Sequence, residues 1–411
     1  MTEFRNLLFA WFAAMWPKLC DYQRTFVEGG YKDQEHTWAY AFGVEAFTIY
    51  EWRVLQAAIA QTPVLKARIQ GEIRTAFGMF AALDRAQDIG AVFFNAAHKR
   101  MTSGQLLFGE PNALFDAVFP GVEAFLTMDA VPHHAVTPLY GVRIGAPIPL
   151  DEDNTISLMP QEVRTDFRWR NTAWDDEFDH PVQFEHRFRL PILSADVPVR
   201  QQPVIEACRD AVENALISIA VAQRSTAVSG PLLIENMNFV PAGSSALVLP
   251  GGSPRRGLGR TQLQSERFPE MQAAWRCLVG RTERRVRLAG ERLAIIELAR
   301  DGDSALLEAV TALEAILGDD YRNELPHRLS LLAARLVAKD LGLSQRLVRD
   351  TIFAAFQRRT IVLRGKESQD DVAEVKRLTL FVDSVVRRLT QLRVLEDGRF
   401  KEDPVDVLLD N

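Results

Sequence analysis

Phe356-Gln357-Arg358-Arg359-Thr360-Ile361-Val362-Leu363-Arg364-Gly365 closes a helical pattern in the last part of the chain, and the fold is read outward from it. Val348, Ile352, Ala355 and Phe356 recur at helical spacing on one face of that pattern. Upstream, Leu306, Leu307, Val310, Leu313 and Leu317 mark a second amphipathic helix, and Leu329, Leu332, Ala333 and Leu336 a third. Downstream, Val375, Leu378, Val382, Val385, Leu389 and Leu392 alternate spacings of three and four, like a short coiled-coil seam. That seam is compatible with a dimer interface and equally with the core of a single chain. Residues 266–395 therefore read as a helical bundle, followed by an acidic tail, 396–411.

Residues 1–130 also read as helical. Glu45–Leu55 and Asn112–Phe119 carry bulky apolar groups at helical spacing. This region is rich in Phe and Trp, which are mostly spent on burial. Between the helical regions, 131–265 reads as α+β. Tyr140–Ile144 and Thr155–Met159 are strand-like. Val182–Leu190 alternates apolar and charged positions, implying one buried face. A helix with Val204, Ala207, Cys208, Ala211, Val212, Ala215 and Ile219 on one side follows, and 241–262 reads as loops around at most one short strand. The expected class is mainly α with a central α+β region.

With 411 residues, 47% of them apolar and 25% charged, the chain has room for two or three domains and excludes wholesale disorder. The net charge of −6 provides no global attraction for nucleic acid. It is unevenly placed: from Arg281 onward 23 basic residues balance 23 acidic ones, leaving 25 against 31 upstream. The three cysteines, Cys20, Cys208 and Cys277, show neither paired zinc spacing nor a disulfide framework, so a reducing cytosol is expected. The apolar run Leu7–Pro17 falls short of the roughly 20 residues that cross a bilayer, and reads as a buried or docking helix.

Local motifs offer little other chemistry. Gly251–Arg260 has glycines and cations, but Pro254 interrupts it and no Gly-Lys-Ser/Thr follows, so it reads as a basic loop. Arg255 and Arg256 could still touch a phosphate backbone as point charges. His180 and His186 share a strand face near Asp176, Asp179 and Glu185, without the converging ligand set a metal needs. Adjacent His133 and His134 should point apart, and Cys208 reads as an inert buried thiol. No cofactor or metal is expected.

The opening stretch, together with Ala312-Leu313-Glu314-Ala315-Ile316-Leu317-Gly318 and Glu324-Leu325-Pro326-His327-Arg328-Leu329, resembles the C-terminal HEPN domain of ApeA-like proteins. The resemblance covers about Arg285 to Leu392, with a fainter likeness over Pro138–Glu162. It implies an up-and-down helical bundle, a homodimer through that bundle, and a metal-independent RNase motif of Arg, four residues and His. Its setting would be bacterial anti-phage defence or a toxin-like system, with an unknown protein or phage trigger. Arg358 matches the motif Arg, while the His position holds Leu363. Arg359 and Arg364 would be auxiliary RNA contacts, Glu314 and Arg328 a buried supporting pair, and His327 a candidate replacement acid/base. Cleavage by a 2′-hydroxyl needs a base, an acid and a cation beside the developing phosphorane charge. Leu363 transfers no proton, and positioned acid–base catalysis contributes about 10²–10⁴-fold. Two expectations follow: an RNA-directed protein with a degenerate site, or a non-catalytic dimerising scaffold that binds a partner.

Overall fold

The structure is a computed structural model and describes residues 1–28, 46–69, 72–76, 78–82, 85–102, 110–159, 182–193, 197–236, 247–251, 261–280, 284–299, 301–318, 325–364 and 372–395. The protein is mainly helical, with a central α+β region and a C-terminal helical bundle. Its helices are α1 (Thr2–Glu28), α2 (Tyr50–Gln61), α3 (Pro63–Ile69), α4 (Ala86–Thr102), α5 (Pro111–Thr127), α6 (Gln202–Ala222) and α7 (Phe268–Val279). They continue with α8 (Arg284–Ile296), α9 (Gly302–Leu317), α10 (Leu325–Val337), α11 (Gln345–Leu363) and α12 (Val372–Leu395). The strands are β1 (Glu72–Thr75), β2 (Gly78–Ala82), β3 (Ala130–Tyr140), β4 (Val142–Arg143), β5 (Ile148–Pro149), β6 (Asn154–Leu158) and β7 (Val182–Pro191). After α6 come β8 (Val228–Ser229), β9 (Leu232–Asn236), β10 (Leu247–Leu249) and β11 (Thr261–Gln262).

Two compact units divide the chain. The first comprises Met1–His134, Arg187–Val204 and Ile234–Leu247; the second comprises Ala135–His186, Ile205–Leu233 and Val248–Asn411. Both units thus draw on the central region, which the sequence presents as one consecutive block.

The first unit is built around α1. Phe4, Leu8, Trp11, Phe12, Met15 and Leu19 recur on one face and are all buried, so the apolar run Leu7–Pro17 is spent on core. Trp11 packs 5.0 Å from Trp52, and Phe12 lies edge-on to Phe93 at 5.1 Å. Between α3 and α4 the chain forms the antiparallel pair β1–β2, where the sequence reads as helical throughout. Among the described residues no helix is long and apolar enough to cross a membrane.

In the second unit, β5, β6 and β7 pair antiparallel in sequence order, with Ile148 opposite Ile156 and Ile156 opposite Phe184. The alternation expected for Val182–Leu190 is only partly realised. Val182, Gln183 and Phe184 are all buried, while alternation resumes beyond His186. The bundle core unites α8–α12, and it also takes in Ile217, Ala220 and Val221 of α6. Residues 217–222 are buried all round, which a one-sided amphipathic helix would not be. The close approach depends on Gly290 of α8, where a Cβ would lie 2.2 Å from the Ile217 Cγ2. The seam of α12 is buried along its whole length within one chain, from Val375 to Leu392, so it is intramolecular core.

Candidate nucleic-acid interface

The chain reaches α11 through Gly342, whose φ of +65° lies in the left-handed region where glycine avoids a Cβ penalty. Ser344 then caps the helix, its hydroxyl accepting from the Leu347 N–H at 3.2 Å. Val348, Ile352, Ala355 and Phe356 anchor the helix in the bundle core. These contacts fix the direction of every arginine that follows.

Arg358 is buried, at 8% exposure, and its Nη2 donates to Asp303 Oδ1 at 3.2 Å. Asp303 sits in the first turn of α9, just after the cap Asp301, which accepts from Ser304 N at 2.7 Å. The next arginine, Arg359, pairs with Glu314 in the last turn of the same helix. Eleven residues of α9 separate the two acids, about 16 Å along the axis. The adjacent arginines therefore splay in opposite directions along α9 and do not converge on one point.

Glu314 is thus a partner of Arg359, which corrects the expected buried pair with Arg328. Arg328 is exposed in the first turn of α10 because the helix face it occupies is turned away from the core residues Leu329, Leu332 and Ala333. His327 is exposed beside it, its ring edge-on to Phe353 at 6.4 Å. Phe353 precedes Arg358 by five residues, about 140° around the helix. Within one chain, His327 and the Arg358 guanidinium consequently lie on different sides of α11. Leu363 is 64% exposed, although Ile361 and Val362 beside it are half-buried. Arg364 is exposed at the C-cap of α11. Arg255 and Arg256 lie outside the described residues.

The other candidates resolve into structural roles. Cys208 is buried and its thiol is pushed up to about 12 by burial, far from a reactive thiolate. His133 and His134 point apart: His133 stacks on Phe188 at 5.6 Å, and His134 meets Glu235 Oε1 at 2.9 Å. His186 Nδ1 donates to Asn154 Oδ1 at 2.8 Å, and Asn154 Nδ2 donates to Asp151 Oδ1 at 2.7 Å. Trp275 Nε1 reaches the other Asp151 oxygen at 2.5 Å, so this chain docks α7 on the β5–β6 turn. Burial lowers the His186 pKa, while Asp153 and Asp151 pull it upward. His180, Asp176 and Asp179 are outside the described residues. Among the described ones, no three His, Cys, Asp or Glu side chains converge on a metal position.

A polar group that sequence reading missed runs through α12 opposite its apolar seam. Arg387 Nη2 donates to the fully buried Asp383 at 2.6 Å. Arg224 approaches the second Asp383 oxygen at 3.6 Å and donates through Nε to Glu297 at 2.6 Å. Burial raises the Asp383 pKa, against the pull of Arg387 and Arg224, and burial lowers that of Arg387. Arg387 Nε and Nη1 and Asp383 Oδ2 have no hydrogen-bond partner among the described residues. The i, i+4 spacing of Asp383 and Arg387 is visible in the sequence, but it is the usual signature of an exposed helix pair.

No protein-family model, curated protein or solved structure matches this chain.

Proposed function

We propose that the chain is a HEPN-like protein whose C-terminal bundle binds RNA without efficient turnover. One observation carries the reading. At the end of α11, motif-spaced Arg358 is present, but the position of the proton-transferring His holds an exposed leucine. Arg358 is also held in an ion pair by Asp303, and the exposed His327 ring lies against Phe353 instead. Exposed cations, Arg364 and Arg328 among them, offer phosphate contacts that need no fixed geometry. The homodimer implied by the resemblance would use a surface other than the α12 seam.

The test is incubation of the purified protein with total RNA, with and without Arg358→Ala. Intact RNA that is retained by the protein is expected in both cases. Cleavage by wild type that Arg358→Ala abolishes would make the protein an enzyme and overturn the proposal. A second reading, a non-catalytic scaffold, draws on the exposed apolar side chains Leu347 and Leu363 of α11. Absence of any RNA retention would favour it.

A further inference from the structure

The outer face of α11 is built differently from the motif arginines. Arg346, Phe353, Gln357 and Arg364 fall within about 40° of one another around the helix axis. All four are exposed. The stripe runs about 27 Å from Arg346 to Arg364. At its N-terminal end Arg346 and Arg349 share the single carboxylate of Asp350, at 3.6 and 2.7 Å, so one positive charge is in excess. At the other end Arg364 adds a second. In the middle, Phe353 is 37% exposed and meets the exposed His327 ring edge-on, with exposed Arg328 next along α10. The face is thus an aromatic pair between cations, on a protein whose net charge is −6.

We infer that this outer face of α11, centred on Phe353 and His327, is a contact surface for single-stranded RNA. The inference rests on the RNA-binding reading above but places the contact away from Arg358. The cations can track a phosphate backbone, and an exposed aromatic ring accepts an unpaired base of any identity. A second copy of this chain is a poorer occupant. Two-fold pairing of antiparallel α11 helices would set Arg346 of one copy against Arg364 of the other, and like charges so placed repel. Duplex RNA offers no unstacked base to the ring.

Fluorescence anisotropy with a labelled oligouridylate, for wild type, Phe353→Ala, Arg364→Glu and Arg358→Ala, is the test. Phe353→Ala should weaken binding by about 5- to 150-fold, the range for loss of one stacked base. Arg364→Glu changes an exposed side chain at the C-cap and should weaken binding and flatten its salt dependence. Wild-type binding that both face variants retain, or that only Arg358→Ala loses, would overturn the inference while leaving RNA binding in place. If wild type binds no oligouridylate, the RNA-binding reading itself fails. A change in oligomer size by gel filtration in the face variants, without a change in RNA affinity, would make the face a self-association surface and also overturn the inference.

Discussion

Replacing Arg387 by Met should be among the most damaging single changes in the bundle. Asp383 is fully buried and accepts from Arg387 at 2.6 Å; without that partner its carboxylate keeps only Arg224, 3.6 Å away and shared with Glu297. Breaking a buried pair from one side typically costs about 3–5 kcal/mol. The residual Arg224 contact puts the expected loss at the lower end, about 3 kcal/mol. For a unit of this size that corresponds to a drop in Tm of about 6–12 °C. The double replacement Asp383→Leu/Arg387→Met behaves differently. It removes both charges together with the buried polar atoms that find no hydrogen-bond partner among the described residues, Arg387 Nε and Nη1 and Asp383 Oδ2. Its stability should return to within about 1 kcal/mol of wild type or exceed it. Urea unfolding followed by circular dichroism measures all four corners of this cycle. A single Arg387→Met cost below about 1 kcal/mol, or a double variant as unstable as the single, would refute the reasoning.

Further outcomes can be checked in the same assays. Gly290→Ala gains about 1 kcal/mol of helix propensity but drives a Cβ to 2.2 Å from Ile217 Cγ2, so a net loss of about 1–2 kcal/mol is expected. Ile217→Ala in the same chain should make the glycine substitution nearly harmless; equal cost in both backgrounds would remove the close approach as its cause. Burial depresses the folded pKa of His186 below the unfolded value near 6.5, so its contribution is present above that value and lost as pH falls through the folded one. Wild type should accordingly lose more stability than His186→Gln between neutral pH and pH 5, by urea midpoint. Leu363→His changes an exposed side chain and should alter stability by less than about 0.5 kcal/mol. It should raise cleavage of total RNA by about 10²–10⁴-fold; a folded variant without any gain would remove the HEPN site from the reading.

The C-terminal helices were legible because their apolar residues keep one period from end to end. Val375 to Leu392 is regular enough to locate α12 within a few residues, and each of its seam positions is buried. The same periodicity could not say that the seam closes within one chain, since a dimer and a core ask for the same spacing. Nor could it find the opposite, polar side of α12. Asp383 and Arg387 look like a solvated i, i+4 pair until their burial and the approach of Arg224 are seen. The small hairpin β1–β2 escaped for a related reason, since Glu72–Thr75 and Gly78–Ala82 are too short to show a clear two-residue period. At the candidate site the sequence supplied the arginines but not their partners. Arg358 and Arg359 are neighbours in sequence, and only the placement of α9 shows them tied to Asp303 and Glu314 at opposite ends of that helix.

RNA binding is the claim on which the functional reading stands, and its salt dependence is the most direct probe. Wild-type affinity for single-stranded oligouridylate, measured from low to physiological salt, should fall along a straight log–log line. A slope of about −1.5 to −2 is expected for two to three phosphate contacts. Binding that is absent at low salt, or that does not change with salt, would contradict it.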